Sequence, residues 1–195
     1  MKRSAEIFRK TNETEIEVSL DLDGSGNVSI DTGIKFLDHM LELMAKHGQL
    51  NLDVRCKGDL EVDNHHTVED LGIVLGQAIK KALGDKNGIK RYSTVFTPMD
   101  ESLSMVSLDM SGRSFLKYNV NLTREFVGDF ETETAEEFFI ALVNNGGITL
   151  HINLLYGKNN HHIIESIFKG LGRAIKEATS IDENIEGVMS TKGVL

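Results

Sequence analysis

Polar and apolar residues alternate along Thr14-Glu15-Ile16-Glu17-Val18-Ser19-Leu20-Asp21-Leu22, the period of a strand with one buried face. Asp23-Gly24-Ser25-Gly26-Asn27 reads as a turn, and Val28 to Ile30 as the return strand of a hairpin. The period then lengthens. Phe36, Leu37, Met40, Leu41, Leu43 and Met44 fall at helical spacing, and the helix is predicted to stop at His47-Gly48. Alternation returns at Leu50, Leu52 and Val54. From His66 to Leu83, the apolar set Val68, Leu71, Ile73, Val74, Leu75, Ala78, Ile79, Ala82 and Leu83 describes a long helix closed by Gly84. The predicted unit is β, β, α, β, α.

The second half repeats it. Ser19-Leu20-Asp21-Leu22-Asp23-Gly24 matches Ser107-Leu108-Asp109-Met110-Ser111-Gly112, 88 residues on. Thr134 to Asn145 is predicted helical and runs into Gly146-Gly147, Ile148 to Leu154 a strand, and His161 to Thr179 a second long helix. The stretch from His47-Gly48 to Val54 agrees in period and glycine placement with Asn145-Gly146 to Ile152, 98 residues on. This pattern predicts an α/β (α+β) fold, internally duplicated, with sheets covered on one face by helices. The halves divide at about 1–92 and 93–195.

The repeat carries chemistry as well as shape. Seven histidines include two adjacent pairs, and glutamate follows each pair at the same distance: HHTVE over 65–69 and HHIIE over 161–165. On a helix the first His and the Glu stand at i and i+4, about one turn apart on one face. The second His points roughly 100° away, so one motif can offer ligands to two metal centres. Imidazole nitrogens with carboxylate oxygens suit Mn, Fe or Zn, and six-coordinate, oxygen-rich sites lean to Mn. Moving His39 on the first short helix forward by 98 lands on Glu137 on its counterpart, another metal-competent residue. Each half would then supply one ligand from its short helix and an HHxxE from its long one.

Composition narrows the possibilities. With 21 Lys and Arg against 30 Asp and Glu, the charge is −9, and no basic block suggests nucleic-acid binding. The single cysteine, Cys56, excludes a disulfide framework and a multi-Cys zinc site. No run approaches the roughly 20 apolar residues of a membrane span. The opening Met1-Lys2-Arg3-Ser4-Ala5-Glu6 lacks the apolar stretch of a signal peptide, so a cytoplasmic protein is expected.

Lone residues have blander readings beside functional ones. His47 next to Gly48 suits a helix C-terminus on dipole grounds alone. His151 sits within a strand, as a core or supporting histidine does. Cys56 reads as a small half-buried side chain with no chemistry. Lys169, four residues after Glu165, shares the ligand face. Met189-Ser190-Thr191-Lys192-Gly193 could hold a phosphate through backbone N–H, hydroxyl and ammonium groups, with Arg91 and Arg113 adding planar charge-assisted bonds.

Phe36-Leu37-Asp38-His39-Met40, Asp63-Asn64-His65-His66-Thr67-Val68-Glu69-Asp70 and Asn160-His161-His162-Ile163-Ile164-Glu165 with Phe168-Lys169 resemble the imidazoleglycerol-phosphate dehydratase family of histidine biosynthesis. The resemblance runs from Arg9-Lys10-Thr11-Asn12-Glu13-Thr14 to Ser190-Thr191-Lys192-Gly193. It implies a duplicated fold like ribosomal protein S5 domain 2, two Mn2+ per active site, and a 24-subunit shell with sites between neighbouring subunits. It implies metal ligation by His39, His65, His66, Glu69, Glu137, His161, His162 and Glu165. Catalytic roles fall to Glu13, His39, Glu69, Glu165 and Lys169. Substrate and phosphate contacts fall to Glu13, His39, His47, His65, Glu69, Arg91, Arg113, His161, Lys169, Ser190, Thr191 and Lys192.

Two positions depart from the family pattern. Many members carry His where this chain has Glu137, and the usual tail Pro-Ser-Ser-Lys-Gly is here Met-Ser-Thr-Lys-Gly. The implied reaction removes water from imidazoleglycerol phosphate to give imidazole acetol phosphate, through an imidazolate held by metal at both ring nitrogens. Two other classes remain open on sequence: a dinuclear hydrolase acting on a phosphate ester, with metals about 3.5–4 Å apart, and a metal-storing or shell-forming protein.

Overall fold

The computed structural model describes residues 3–195; Met1 and Lys2, the start of the opening segment, lie outside the described residues. The first sheet is built from β1 (Ser4–Lys10), β2 (Thr14–Asp21), β3 (Val28–Asp31) and β4 (Asn51–Gly58). The second is built from β5 (Tyr92–Met99), β6 (Ser102–Asp109), β7 (Phe115–Asn119) and β10 (Thr149–Tyr156). Their orders are β1-β2-β4-β3 and β5-β6-β10-β7. These are the same order under the repeat, so the duplication seen in the motifs is a duplication of topology.

Alternation sets the buried face. Along β2, Ile16, Val18 and Leu20 are buried while Glu15, Glu17 and Ser19 face solvent. The long helices α2 (His65–Leu83) and α4 (Asn160–Thr179) lie on the inner faces, each with its apolar stripe turned to a sheet. The short helices α1 (Lys35–Gly48) and α3 (Thr134–Gly146) complete the helical layer. A two-stranded ribbon, β8 (Phe126–Val127) and β9 (Phe130–Glu131), adds a turn not foreseen from the pattern.

Two local readings are corrected. Val28–Asp31 is not the return strand of a hairpin: it pairs in parallel with β4, and β2 pairs with β1 and β4 instead. An edge strand, β1, precedes the first strand expected, and occupies the hairpin position beside β2. The helix over 35–48 stops at Gly48 as expected, but the residue that closes it differs. Gln49, not Gly48, takes the left-handed conformation at φ 53.

Gly48 serves packing instead. Each short helix packs against the long helix of the other half: α1 on α4, and α3 on α2. A Cβ on Gly172 would stand 2.1 Å from the Met44 carbonyl oxygen, and one on Gly76 would stand 2.5 Å from that of Leu142. Glycine at these two positions lets the helix backbones touch. The crossover decides which ligands meet.

Candidate active site

The first turns of all four helices collect at one end of the two sheets. Asp129, in the turn between β8 and β9, accepts the N–H groups of Lys35 at 2.7 Å and Phe36 at 3.1 Å, satisfying the start of α1. The Asn64 side chain donates to the Asp129 carbonyl at 2.7 Å, which ties the start of α2 to the same turn. Asn159 caps α4 by accepting the His161 N–H at 3.0 Å.

Within each HHxxE the helical geometry is as the spacing requires. His161 Nε2 lies 3.2 Å from Glu165 Oε2, and His65 Nε2 lies 3.7 Å from Glu69 Oε2. The second histidines turn away: the paired rings stand at 78° in His161–His162 and at 89° in His65–His66.

The crossover of short helices then adds a third group. His39 on α1 joins His161 and Glu165 on α4, with one donor atom from each within 4.8 Å of the others. Two imidazoles and a carboxylate at that spacing form a donor set that fits a divalent transition metal. Among the described residues this is the one such cluster. Glu137 occupies the counterpart place on α3, which packs on the α2 helix carrying His65 and Glu69. His39 on a short helix thus meets His161 and Glu165 on the long helix of the other half, whereas Glu137, His65 and Glu69 form no such cluster among the described residues.

Charge is balanced locally. Burial pushes the Glu165 carboxyl up, but Lys169, with Nζ 2.5 Å from Glu165 Oε1, and the nearby His161 and His39 outweigh it and leave the group below its ordinary value. His47, at the far end of α1, is held below its ordinary value by burial and then by Lys169 and Arg173. Cys56 fits its inert reading, since burial pushes the thiol up to about 12.

Three carboxylates, two beside the histidines and one at the opposite end, went unsuspected in the sequence. Asp59 Oδ2 lies 3.0 Å from His66 Nδ1, and Glu101 Oε2 lies 2.7 Å from His162 Nδ1. His162 and the backbone N–H of Asn159 hold the Glu101 carboxyl down to about 2. Asp109 binds Arg91. Glu101 had a signal: it stands 88 residues after Glu13, the offset that relates Ser107 to Ser19. Glu13 sits between β1 and β2, exposed, with Oε1 3.9 Å from His66 Nε2.

The phosphate-type residues gather at the opposite end. Arg91, itself left-handed at φ 80, donates its backbone N–H to the Ala178 carbonyl near the end of α4. Its Nη1 donates to the Met189 carbonyl at 2.6 Å, which holds the segment with Ser190, Thr191 and Lys192. Arg113 is exposed in the turn after β6, at the same end. Along α4 the path from His162 to Ala178 is about 24 Å at 1.5 Å per residue. One chain thus carries a metal-type end and an anion-type end that do not meet.

Comparison with known proteins gives one family. The family model of imidazoleglycerol-phosphate dehydratase matches residues 32–175. The chain is 64% identical over 193 residues to the imidazoleglycerol-phosphate dehydratase of Clostridium novyi (strain NT), covering 99% of this chain and 98% of that protein. It is 61% identical to that of Oceanobacillus iheyensis, covering 99% and 100%. Among solved structures, imidazoleglycerol-phosphate dehydratase from Staphylococcus aureus subsp. aureus N315 superposes with a TM-score of 0.84 at 41% identity, over 92% of this chain and 99% of that one. The enzyme from Pyrococcus furiosus, solved in complex with (S)-C348, also gives 0.84, at 35% identity over 97% and 100%.

Proposed function

The chain belongs to the imidazoleglycerol-phosphate dehydratase family, and from that premise we propose how its residues carry the reaction. It is a hydro-lyase of histidine biosynthesis, removing water from imidazoleglycerol phosphate to give imidazole acetol phosphate. The observation that carries the reading is the meeting of His39 with His161 and Glu165, repeated in sequence by Glu137, His65 and Glu69.

Two Mn2+ per site would be held by His39, His65, His66, Glu69, Glu137, His161, His162 and Glu165. Bound there, they would supply Lewis acidity toward the substrate's imidazole ring. The remaining work belongs to the chain. The carbon that loses its proton has no carbonyl neighbour to acidify it, so that acidity would come from the imidazole ring; Glu13, exposed on a short turn beside His66, is the carboxylate that would take the proton. Lys169, paired with Glu165, favours its ionised form and would offer an ammonium to the substrate beside it. Arg91, Arg113, Ser190, Thr191 and Lys192 hold the phosphate, which is remote from the bond that breaks. His47, on the side of α1 that faces Lys169 and Arg173, would add a substrate contact.

The separation of the two ends supports sites shared between subunits, as in a 24-subunit shell. Aromatic side chains left on the outer strands, Phe8, Tyr92, Phe96 and Phe115, are each more than half exposed and support self-association. The two halves act as one catalytic unit. No described helix is long and apolar enough to cross a membrane, and we assign the enzyme to the cytoplasm. Product analysis tests the proposal: Mn-loaded protein mixed with imidazoleglycerol phosphate should yield imidazole acetol phosphate in proportion to bound Mn. Release of inorganic phosphate, or full turnover after the metal is stripped, would sink it.

A further inference from the structure

The duplicated fold places a glutamate in the turn between the first two strands of each half, Glu13 between β1 and β2 and Glu101 between β5 and β6. Each faces the second histidine of its own half's HHxxE, yet the two are held differently. Glu13 lies 3.9 Å from His66 Nε2, beyond hydrogen-bond reach, with its side chain 53% exposed. Glu101 is fixed at both oxygens. Oε1 accepts the N–H of Asn159 at 2.8 Å and, more loosely, that of Lys158 at 3.3 Å, and Oε2 lies 2.7 Å from His162 Nδ1.

In the first half the corresponding grip comes from elsewhere. Asp59, after β4, meets His66 Nδ1 at 3.0 and 3.3 Å. A carboxylate accepts and does not donate, so each of these histidines must carry its proton on Nδ1. In the neutral ring that leaves the lone pair on Nε2. The carboxylate beside each Nε2 lies just beyond hydrogen-bond reach, Glu13 at 3.9 Å for His66 and Asp100 at 3.8 Å for His162.

We infer that Glu101 and Asp59 are positioning residues, which lock His162 and His66 in the Nδ1–H tautomer so that Nε2 is the atom offered to metal. The duplication has thereby divided one ancestral place into two roles: Glu101 is tied down to orient a ligand, and its twin Glu13 stays free to move a proton. This inference rests on the assignment of His66 and His162 as metal ligands.

The test reads the tautomer directly, in metal-free protein labelled with 15N-histidine, by magic-angle-spinning NMR at a pH where both imidazoles are neutral. Both His66 and His162 should show a protonated Nδ1 and a bare Nε2. Glu101→Gln retains an oxygen for the Asn159 N–H and turns its NH2, a donor only, toward His162 Nδ1; His162 should shift to the Nε2–H tautomer while His66 is unchanged. Asp59→Asn should do the reverse, in a loop that caps no helix. Mn2+ affinity, measured by competition with a chelator, should fall about 10- to 100-fold in each variant. Unchanged tautomers, or affinities within twofold of the parent, overturn the inference while leaving the ligand assignment intact. Should His162→Ala and His66→Ala both retain full Mn2+ affinity, the ligand assignment itself fails instead.

Discussion

Arg91 grips Asp109 with two N–H groups, Nε to Oδ1 at 2.7 Å and Nη2 to Oδ2 at 3.0 Å. Both side chains are mostly buried, and the third arm of the guanidinium holds the Met189 carbonyl. The pair fixes the start of the Ser190–Lys192 segment from 81 residues away or more in sequence. Asp109→Asn keeps the shape and loses the charge. It should weaken substrate binding by about 1.5 kcal/mol, roughly a tenfold rise in KM, with kcat and bound Mn unchanged. Steady-state kinetics with metal analysis checks this.

Glu137 separates a ligand from an ordinary helix glutamate. As a surface residue its change to Gln should be silent, within about 0.5 kcal/mol. As a ligand, Gln retains the shape but loses the charge, and both Mn content and turnover should fall. Glu137→His, the residue many relatives use there, should retain activity. Metal content and rate on the two variants decide the matter.

Gly172 is where α4 touches α1. Adding a methyl group there would press on the Met44 carbonyl, which is backbone and cannot swing aside. Gly172→Ala should cost about 1–3 kcal/mol of stability and push His39 away from His161 and Glu165. Denaturant unfolding should show the loss, and Mn affinity should drop with it. An equal loss of stability with Mn affinity untouched would separate packing from ligand placement.

The N-terminal strand is tied down electrostatically. Arg3 donates to Asp23, with Nε at 2.9 Å, and to the Thr179 carbonyl at the end of α4. The hydrogen bond from Arg3 holds the Asp23 carboxyl below its ordinary value. A depressed carboxylate stabilises the fold above its unfolded pKa, and that contribution is lost as pH falls. Asp23 is half exposed, so Asp23→Asn should cost no more than about 1 kcal/mol at neutral pH. The gap from the parent should begin to close as pH falls through 3.8 and vanish once Asp23 is protonated in the folded state. Melting curves against pH show the trend.

Local periodicity made the helices, the buried strand faces and both HHxxE motifs legible, because those features depend only on residues a few positions apart. The offset from His39 to Glu137 was legible for the same reason, through the repeat. Long-range pairing was not. Val28–Asp31 follows a good turn sequence, yet β4 lies between it and β2 in the sheet. Ser4–Lys10 alternates weakly, since it is an edge strand with charged residues. Asp59 and Asp109 look like any surface carboxylate until the fold brings histidine or arginine to them, and Glu101 differs only by its repeat offset from Glu13. The Gly48 position read as a helix stop, whereas its use is the close approach to Gly172.

The division of the site between chains follows from distance. Arg3, bound to the Thr179 carbonyl, starts the strand that leads to Glu13, and six or seven residues of strand put Glu13 roughly 20 Å from that end of α4. The tail with Lys192 is anchored at the same end. Glu13→Gln alone should collapse kcat, because proton transfer exists only in the transition state. Lys192→Ala alone should raise KM roughly ten- to a hundredfold through a lost charge-assisted contact. The decisive measurement mixes the two variants, co-assembled in one particle, and assays them at a substrate concentration well below the KM of the Lys192 variant. Activity well above the sum of the separate variants is predicted, since some sites then draw Glu13 from one chain and Lys192 from another. Activity equal to that sum would mean that one chain supplies both, and would contradict the shared site.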